Sequence, residues 1–209
     1  MWSQQLQAQL EGRDLIHNRP LASPCDDLRP AADDRAFFIP HHIYCSGRNR
    51  RWNGALPALD HTHNEQAGTL ARAWLLSSQQ VLHLLRQINN DEHLTIDWQY
   101  LLQHGHYDAR DRGHGRVMAL GERDSALMLT VTSPLGMDER RAAPPSDDYL
   151  QAWTCGLREC FGLNTVGIRK YFNAIPGIPS QSHGQVQRFL DCALAWSTVD
   201  TGGQEPTNN

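Results

Sequence analysis

The sequence predicts one α+β domain over residues 1–196, followed by a disordered tail over residues 197–209. Two observations carry this prediction. Four or five short strand patterns come first and helix patterns follow, an order typical of α+β folds rather than doubly wound ones. The clearest patterns are a strand that runs into a helix over residues 70–90 and a hairpin over residues 116–132.

Residues 70–76 are apolar except for Arg72, which predicts a strand covered on both faces. Ser77 and Gln80 are spaced as a capping box, so a helix is expected to begin here. Helical spacing predicts that one face is buried and the other meets water. The buried face is Val81, Leu82, Leu84, Leu85 and Ile88, and the exposed face is Gln79, Gln80, Arg86 and Gln87.

Before the strand and helix over residues 70–90, residues 3–11 predict a short helix capped by Ser3 and ended by Gly12. Residues 13–35 are polar and rich in proline, which favours an irregular stretch. Residues 36–44 predict a strand that Pro40 interrupts. A basic loop over residues 46–54 and a short strand over residues 55–59 are expected next.

After the strand and helix over residues 70–90, residues 95–104 predict a helix capped by Thr95, and residues 104–115 predict a polar loop. Alternating apolar residues at 116–120 and 126–132 predict the hairpin arms. Ser146 is expected to cap a helix that ends at Gly162. Two further helices are predicted over residues 164–174 and 183–196.

The chain has 209 residues, a net charge of -4 and a pI near 6.2, which argues against nucleic-acid binding. No apolar run approaches the roughly 18 residues of a membrane span. The amino terminus lacks the pattern of a signal peptide. Five cysteines without a CxxC pair favour free thiols in a reducing cytoplasm.

Three groups of residues invite a chemical interpretation, each with a plainer alternative. His61 and His63 form one His-x-His pair and His104 and His106 another, but zinc needs three or four ligands, so solvated loop histidines are the alternative. Cys45 or Cys160 with a histidine is a candidate thiol site, against the alternative of buried cysteines. An arginine cluster is a candidate for bidentate binding of a carboxylate or phosphate, against a solvated loop. Its members are Arg48, Arg50 and Arg51.

Four segments in order resemble the bacterial branch of the gamma-glutamylcyclotransferase-like superfamily. They are IPHHIYCSGRNRRWNGALPALD, GTLARAWLLSSQQVLHLLRQINN, GHYDARDRGHGRVMALGERDSALMLTVTSP and PPSDDYLQAWTCGLRECFGL, and the corner PCDD at 24–27 fits as well. The resemblance covers roughly residues 1–177 and implies a barrel-like mixed β-sheet surrounded by helices. Chains of this branch sometimes carry a histone deacetylase label, but no zinc site of that kind is present in the sequence.

The resemblance implies an intramolecular reaction in which the α-amine of a γ-glutamyl group attacks the γ-amide carbonyl and releases 5-oxoproline. This chemistry needs a base, oxyanion donors and a carboxylate clamp, and no metal or other cofactor. The family supplies the donors from a Tyr-Gly-Ser-Asn loop, the base from a Gln-Glu pair and the pocket wall from a Trp-x-Gly-Gly corner.

The sequence departs from this pattern at all three places. Met1 resembles the residue after the Tyr-Gly-Ser-Asn loop, so the first strand and loop are missing. The Gln-Glu pair becomes Gln87-Ile88, and the second glycine of the corner becomes Ala55. Asp91 or Glu92 is a candidate substitute base, and Glu92 is the predicted catalytic residue. The predicted substrate-binding residues are Asn49, Trp52, Asn53, Gly54, Gln87 and Tyr107.

Two function classes therefore remain open. The chain is either a divergent enzyme that acts on a small γ-glutamyl-type amide, or an inactive relative that binds a small ligand or a protein. A small amide or carboxylate is the expected partner, without nucleic acid or membrane, and a homodimer stays open. We also expect either that the reading frame begins upstream of Met1, or that a truncated chain has a gap in its sheet which a partner or second copy fills.

Overall fold

The computed structural model describes residues 3–14, 19–20 and 23–198, and it has the mixed α+β composition that the sequence predicts. The helices in this part of the chain are α1 (Ser3–Leu10), α2 (Ser78–Asn89), α3 (Trp98–His104), α4 (Asp147–Phe161), α5 (Thr165–Asn173) and α6 (His183–Thr198). The strands are β1 (Arg13–Asp14), β2 (Arg19–Pro20), β3 (Ala32–Ile39), β4 (His41–Asn49), β5 (Gly54–His63), β6 (Thr69–Leu75), β7 (His106–Asp108), β8 (Arg116–Arg123) and β9 (Ala126–Thr132).

The strands form small antiparallel sheets rather than one continuous sheet. The pairs are β1–β2, β3–β6 and β4–β5, and a three-stranded sheet has the order β7-β8-β9. Pro40 separates β3 from β4, as expected for a residue that has no N–H to donate to a ladder. The predicted irregular stretch over residues 13–35 was too broad, because β1, β2 and the start of β3 lie in it.

The amino end of α2 confirms the predicted capping box. The Ser77 hydroxyl accepts the Gln80 N–H, and the Gln80 side chain accepts the Ser77 N–H at 3.0 Å. The expected exposure of Gln80 was wrong, because its side chain is buried and donates to the carbonyls of Asp27 and Arg29. Gln87 is half-buried for a similar reason, since it donates to the Gln9 carbonyl of α1.

Strand β6 lies where the sequence predicts a strand, but most of its residues are half-buried rather than fully buried. It pairs with β3 alone among the described strands. Several of its residues line an apolar cavity, which accounts for part of the apolar run.

Helix α3 begins three residues later than predicted. Asp97, and not Thr95, is its N-cap, and the Asp97 carboxylate accepts the Tyr100 N–H at 2.9 Å. Leu94 and Ile96 are both buried in the cluster that contains Leu85 and Val117, which accounts for the extended backbone before Asp97.

The largest cluster of buried side chains packs α4, α5 and α6 against β4 and β5, with Leu150, Ile168, Phe172 and Val186 at its centre. Helix α4 has the predicted Ser146 cap and ends at Gly162. The predicted tail from residue 197 falls mainly on residues 199–209, which lie outside the described residues, while residues 197 and 198 belong to α6. No helix of the described chain has the length and apolar character needed to cross a membrane.

Candidate functional site

A polar cleft of about 1500 Å³ lies between the end of β4, the carboxyl end of α2 and the loop over residues 110–114. Seven arginines and three carboxylates line it, so it is electropositive although the protein carries a net charge of -4. The arginines are Arg48, Arg50, Arg51, Arg86, Arg110, Arg112 and Arg140, and the carboxylates are Asp26, Asp91 and Glu92. Such a balance favours an anionic ligand.

Asn49 holds the β4–β5 turn against the end of α2. Its side-chain oxygen accepts the N–H groups of Arg51 at 2.9 Å and Trp52 at 3.2 Å. Its amide nitrogen donates to the Ile88 carbonyl at 3.4 Å. The side chain therefore fixes the position of the arginine-rich turn relative to α2. This keeps two walls of the cleft at a constant distance from each other.

The structure brings some of the predicted site residues together and leaves others apart. Asn49 and Gln87 line the cleft and also a second, inner cavity, whereas Trp52 lines the inner cavity alone. Glu92 lines the cleft, where its side chain is exposed. The remaining predicted residues, Asn53, Gly54 and Tyr107, lie outside the lining of both cavities.

Each of these three residues has a structural environment of its own. Asn53 has a φ of 50° in the β4–β5 turn and accepts a hydrogen bond from Arg48 at 2.7 Å. A methyl group added at Gly54 would lie 2.4 Å from the backbone nitrogen of Ser146, so this position needs glycine for packing. Tyr107 packs edge-on against Tyr100 of α3, with 6.1 Å between the ring centroids.

Arg140 and His114 are the cleft residues that sequence reasoning missed. Within the described residues no carboxylate forms an ion pair with Arg140, and its Nε is buried without a hydrogen-bond partner. A methyl group at Gly47 would lie 3.4 Å from the Arg140 Nη1, so the guanidinium lies against the backbone of β4. A half-buried cation that forms no ion pair within the described residues is a strong anchor for a carboxylate or phosphate.

His114 presents a hydrogen-bond acceptor near this cation. Its Nε2 lies 2.9 Å from the Pro57 carbonyl, which can only accept, so Nε2 carries the proton and Nδ1 is the acceptor. Burial, and then the charge of Arg140, lowers the pKa of His114 despite the bond to Pro57. The neutral imidazole is therefore suited to accept an N–H from a ligand, and it is too weak a base to hold a proton at neutral pH.

His83 and Gln87 link the end of α2 to α1. The Gln87 amide nitrogen donates to the Gln9 carbonyl at 2.7 Å and to His83 Nε2 at 2.8 Å. Burial lowers the pKa of His83. The Gln87 side-chain oxygen is buried and has no hydrogen-bond partner, which leaves one acceptor of this network unsatisfied.

The cysteines and histidines that the sequence offered as candidates for a thiol or metal site lie in environments that do not support such a site. Cys45 is fully buried, and burial raises the pKa of its thiol to about 12, so no thiolate forms there. Cys160 has a raised pKa for the same main reason. His61 lies beside Arg116, and its Nε2 lies 2.8 Å from the Ser133 carbonyl. Across residues 3–14, 19–20 and 23–198 no three His, Cys, Asp or Glu side chains cluster as metal ligands would.

Comparisons with protein-family models, with curated proteins and with solved structures find no match to this chain. The resemblance to the gamma-glutamylcyclotransferase-like superfamily thus stays a prediction from the sequence pattern. Chemically, the arrangement provides cationic anchors, a neutral imidazole acceptor and a carboxylate at the rim. These groups suit the binding of a small molecule that carries a carboxylate and an N–H donor.

Proposed function

We propose that the protein is a divergent relative of the gamma-glutamylcyclotransferase-like superfamily, whose polar cleft binds a small γ-glutamyl-type amide through its carboxylate. The observation that carries this proposal is the half-buried Arg140 guanidinium, which forms no ion pair with a carboxylate of the described chain and which lines the same cleft as His114. A carboxylate on Arg140 with an N–H on His114 is the pattern that an amino-acid amide presents.

Binding without turnover is the form of this function that the site supports best. The helix position where the family carries its base is Ile88, which cannot take a proton. The pKa of His114 is lowered, so its imidazole is a poor acceptor for the proton of an α-ammonium group. The barrel-like fold of the superfamily is part of the same proposal, and the antiparallel pairs β3–β6 and β4–β5 are compatible with it.

Cyclisation with release of 5-oxoproline is the second candidate. The observation that favours it is the presence of Glu92 in the lining of the same cleft as Arg140. Glu92 follows the end of α2 by three residues, close along the chain to the position where the family carries its base. In this mechanism the Glu92 carboxylate takes the ammonium proton before the amine attacks the γ-amide carbonyl. The γ-amide C–N bond then breaks, and Glu92 returns the proton to the amine that leaves together with 5-oxoproline.

Calorimetric titration of the protein with γ-glutamylalanine tests the binding proposal. We expect saturable binding that Arg140→Gln weakens roughly 10- to 100-fold, the loss expected for one hydrogen-bonded charged contact. Arg158→Gln is the matched control, because Arg158 is an exposed arginine of α4 outside the cleft. The absence of saturable binding, or equal effects of the two substitutions, would contradict the proposal.

Assay of 5-oxoproline in the same mixtures separates the two candidates. Binding without 5-oxoproline supports a ligand-binding protein. Turnover that disappears in Glu92→Gln, while the affinity for γ-glutamylalanine is retained, supports the enzyme with Glu92 as its base. Turnover that survives Glu92→Gln would mean that another group takes the proton.

A further inference from the structure

A second cavity of about 830 Å³ lies on the other side of the wall formed by Asn49 and Gln87. Its lining is mostly apolar, and two strands supply much of it. The strand residues are Leu70, Ala73, Trp74 and Leu75 of β6 and Ala126, Leu127, Leu129 and Val131 of β9. Each of these strands pairs on one edge only within the described residues, β6 with β3 and β9 with β8.

The backbone direction of β6 follows from one hydrogen bond. The Leu70 N–H donates to the Tyr171 hydroxyl at 3.2 Å, so the backbone groups of Leu70 point away from β3. Alternate residues of an antiparallel strand direct their N–H and C=O groups to the same edge. Trp74 therefore also turns its backbone groups away from β3. Both residues line the cavity but Tyr171 does not, so the Leu70 N–H is already satisfied by α5 and Trp74 carries the open part of this edge.

The same reasoning gives the direction of β9. The Ala119 N–H of β8 donates to the Gly105 carbonyl at 2.8 Å, on the side of β7. Ala119 is paired with Leu129, so the backbone groups of Ala119 face β7 and those of Leu129 face away from β8. Leu127, Leu129 and Val131 share that direction, and all three line the cavity.

Polar groups in the lining of this cavity also lack partners among the described residues. Gln5 of α1 is 2% exposed, and within the described residues neither its amide nitrogen nor its amide oxygen has a hydrogen-bond partner. The side-chain oxygen of Gln87 is in the same state, and both residues line the cavity. Each such group costs about 1–3 kcal/mol while it stays unsatisfied, so an occupant with amide groups would be favoured here.

We propose that this cavity accepts an extended apolar peptide segment of a partner polypeptide, which adds as a strand between β6 and β9. Main-chain pairing is the feature that selects a peptide over an apolar small molecule, because strand edges on two walls present backbone donors and acceptors at strand spacing. The seven residues of β6 set the length of the segment at about six or seven residues, at roughly 3.3 Å each. The outer end of the cavity is accessible, since Leu75 is 53% exposed.

This inference is independent of the ligand of the polar cleft and has its own test. The probe is a soluble peptide that alternates valine and threonine over seven residues between lysine ends. The control is the same peptide N-methylated at every second residue, which keeps the side chains and removes the donors of one edge. Hydrogen exchange of the full chain, resolved by NMR, is measured with each peptide.

We expect the unmodified peptide alone to slow exchange of the Trp74, Leu129 and Val131 amides, by about 100-fold at a peptide concentration of a hundred times Kd. Met128 and Thr130, whose N–H groups face β8, should change little. Rapid exchange of the outward amides in the free protein is part of the expectation. Amides that are already protected without peptide would overturn the proposal.

Two further outcomes would also overturn it. The outer edge of β3 is a competing site, and register places the Phe38 backbone groups on that edge because Phe38 pairs with Leu70. Protection at Phe38 instead of Trp74 would mean that the peptide adds to β3 outside the cavity. Equal binding of the N-methylated peptide would mean that the cavity takes apolar groups without strand pairing.

Discussion

Replacement of Gln5 by leucine is expected to stabilise the free protein. Both polar atoms of the Gln5 amide are buried without a partner, and the residue is 2% exposed. An unsatisfied buried polar group costs about 1–3 kcal/mol, and leucine fills a similar volume without that cost. We therefore expect the free energy of unfolding to rise by about 1–3 kcal/mol, and Tm to rise by about 2–4 °C for each kcal/mol.

Gln87→Leu is the matched control, because Gln87 has a similar amide that makes two hydrogen bonds. Leucine there would remove the donor to His83 Nε2 and one of the donors to the Gln9 carbonyl, which keeps the Gly12 N–H, and we expect a loss of about 1–3 kcal/mol. Urea denaturation followed by tryptophan fluorescence measures both variants. A destabilised Gln5→Leu protein, or the same sign for both variants, would refute the reasoning.

Two further predictions concern packing and pH. Gly54→Ala should cost about 1–3 kcal/mol of stability, because its methyl group would lie 2.4 Å from the Ser146 backbone nitrogen. A methyl group at Gly184 meets no atom within 4 Å, so Gly184→Ala should stabilise α6 by up to about 1 kcal/mol. Thermal unfolding compares the two, and equal effects would contradict the packing argument. Because burial, and then Arg140, lowers the pKa of His114, the unfolded chain binds the proton more readily. The contribution of His114 to the free energy of unfolding should be fully present above about pH 6.5 and fall as the pH drops below it. Denaturation measured from pH 8 to 5 should therefore show a shallower fall in the free energy of unfolding for His114→Gln.

Local signals in the sequence predicted the elements that depend on neighbours along the chain. The capping box at Ser77 and Gln80 lies within four residues, so spacing alone predicts it. The β8–β9 hairpin likewise follows from alternation on both arms, although the first arm extends beyond the predicted residues 116–120 to Arg123 and the turn is formed by Asp124 and Ser125 with positive φ. At α3 the sequence predicted Thr95 as the cap, whereas Asp97 caps the helix and Ile96 is buried with Leu85 and Val117.

The candidate site depended far more on contacts between distant segments. Asn49 and Gln87 were predicted and do line the cleft, but Arg140 lies after a short turn with no motif around it. Its importance comes from the lack of a counter-charge, which only a three-dimensional arrangement reveals. Gln5 is a similar case, because a polar residue at the start of an amphipathic helix is ordinarily exposed. No pattern in the sequence predicts that its amide is buried beside a cavity.

The wall between the two cavities has a thermodynamic consequence. Five residues, Asn49, Arg51, Leu56, Gln87 and Ile88, line both spaces. An occupant that rearranges any of these side chains on one side changes the free energy of binding on the other. Reciprocity then requires that the cleft ligand alter the affinity of the inner cavity by the same factor as the reverse.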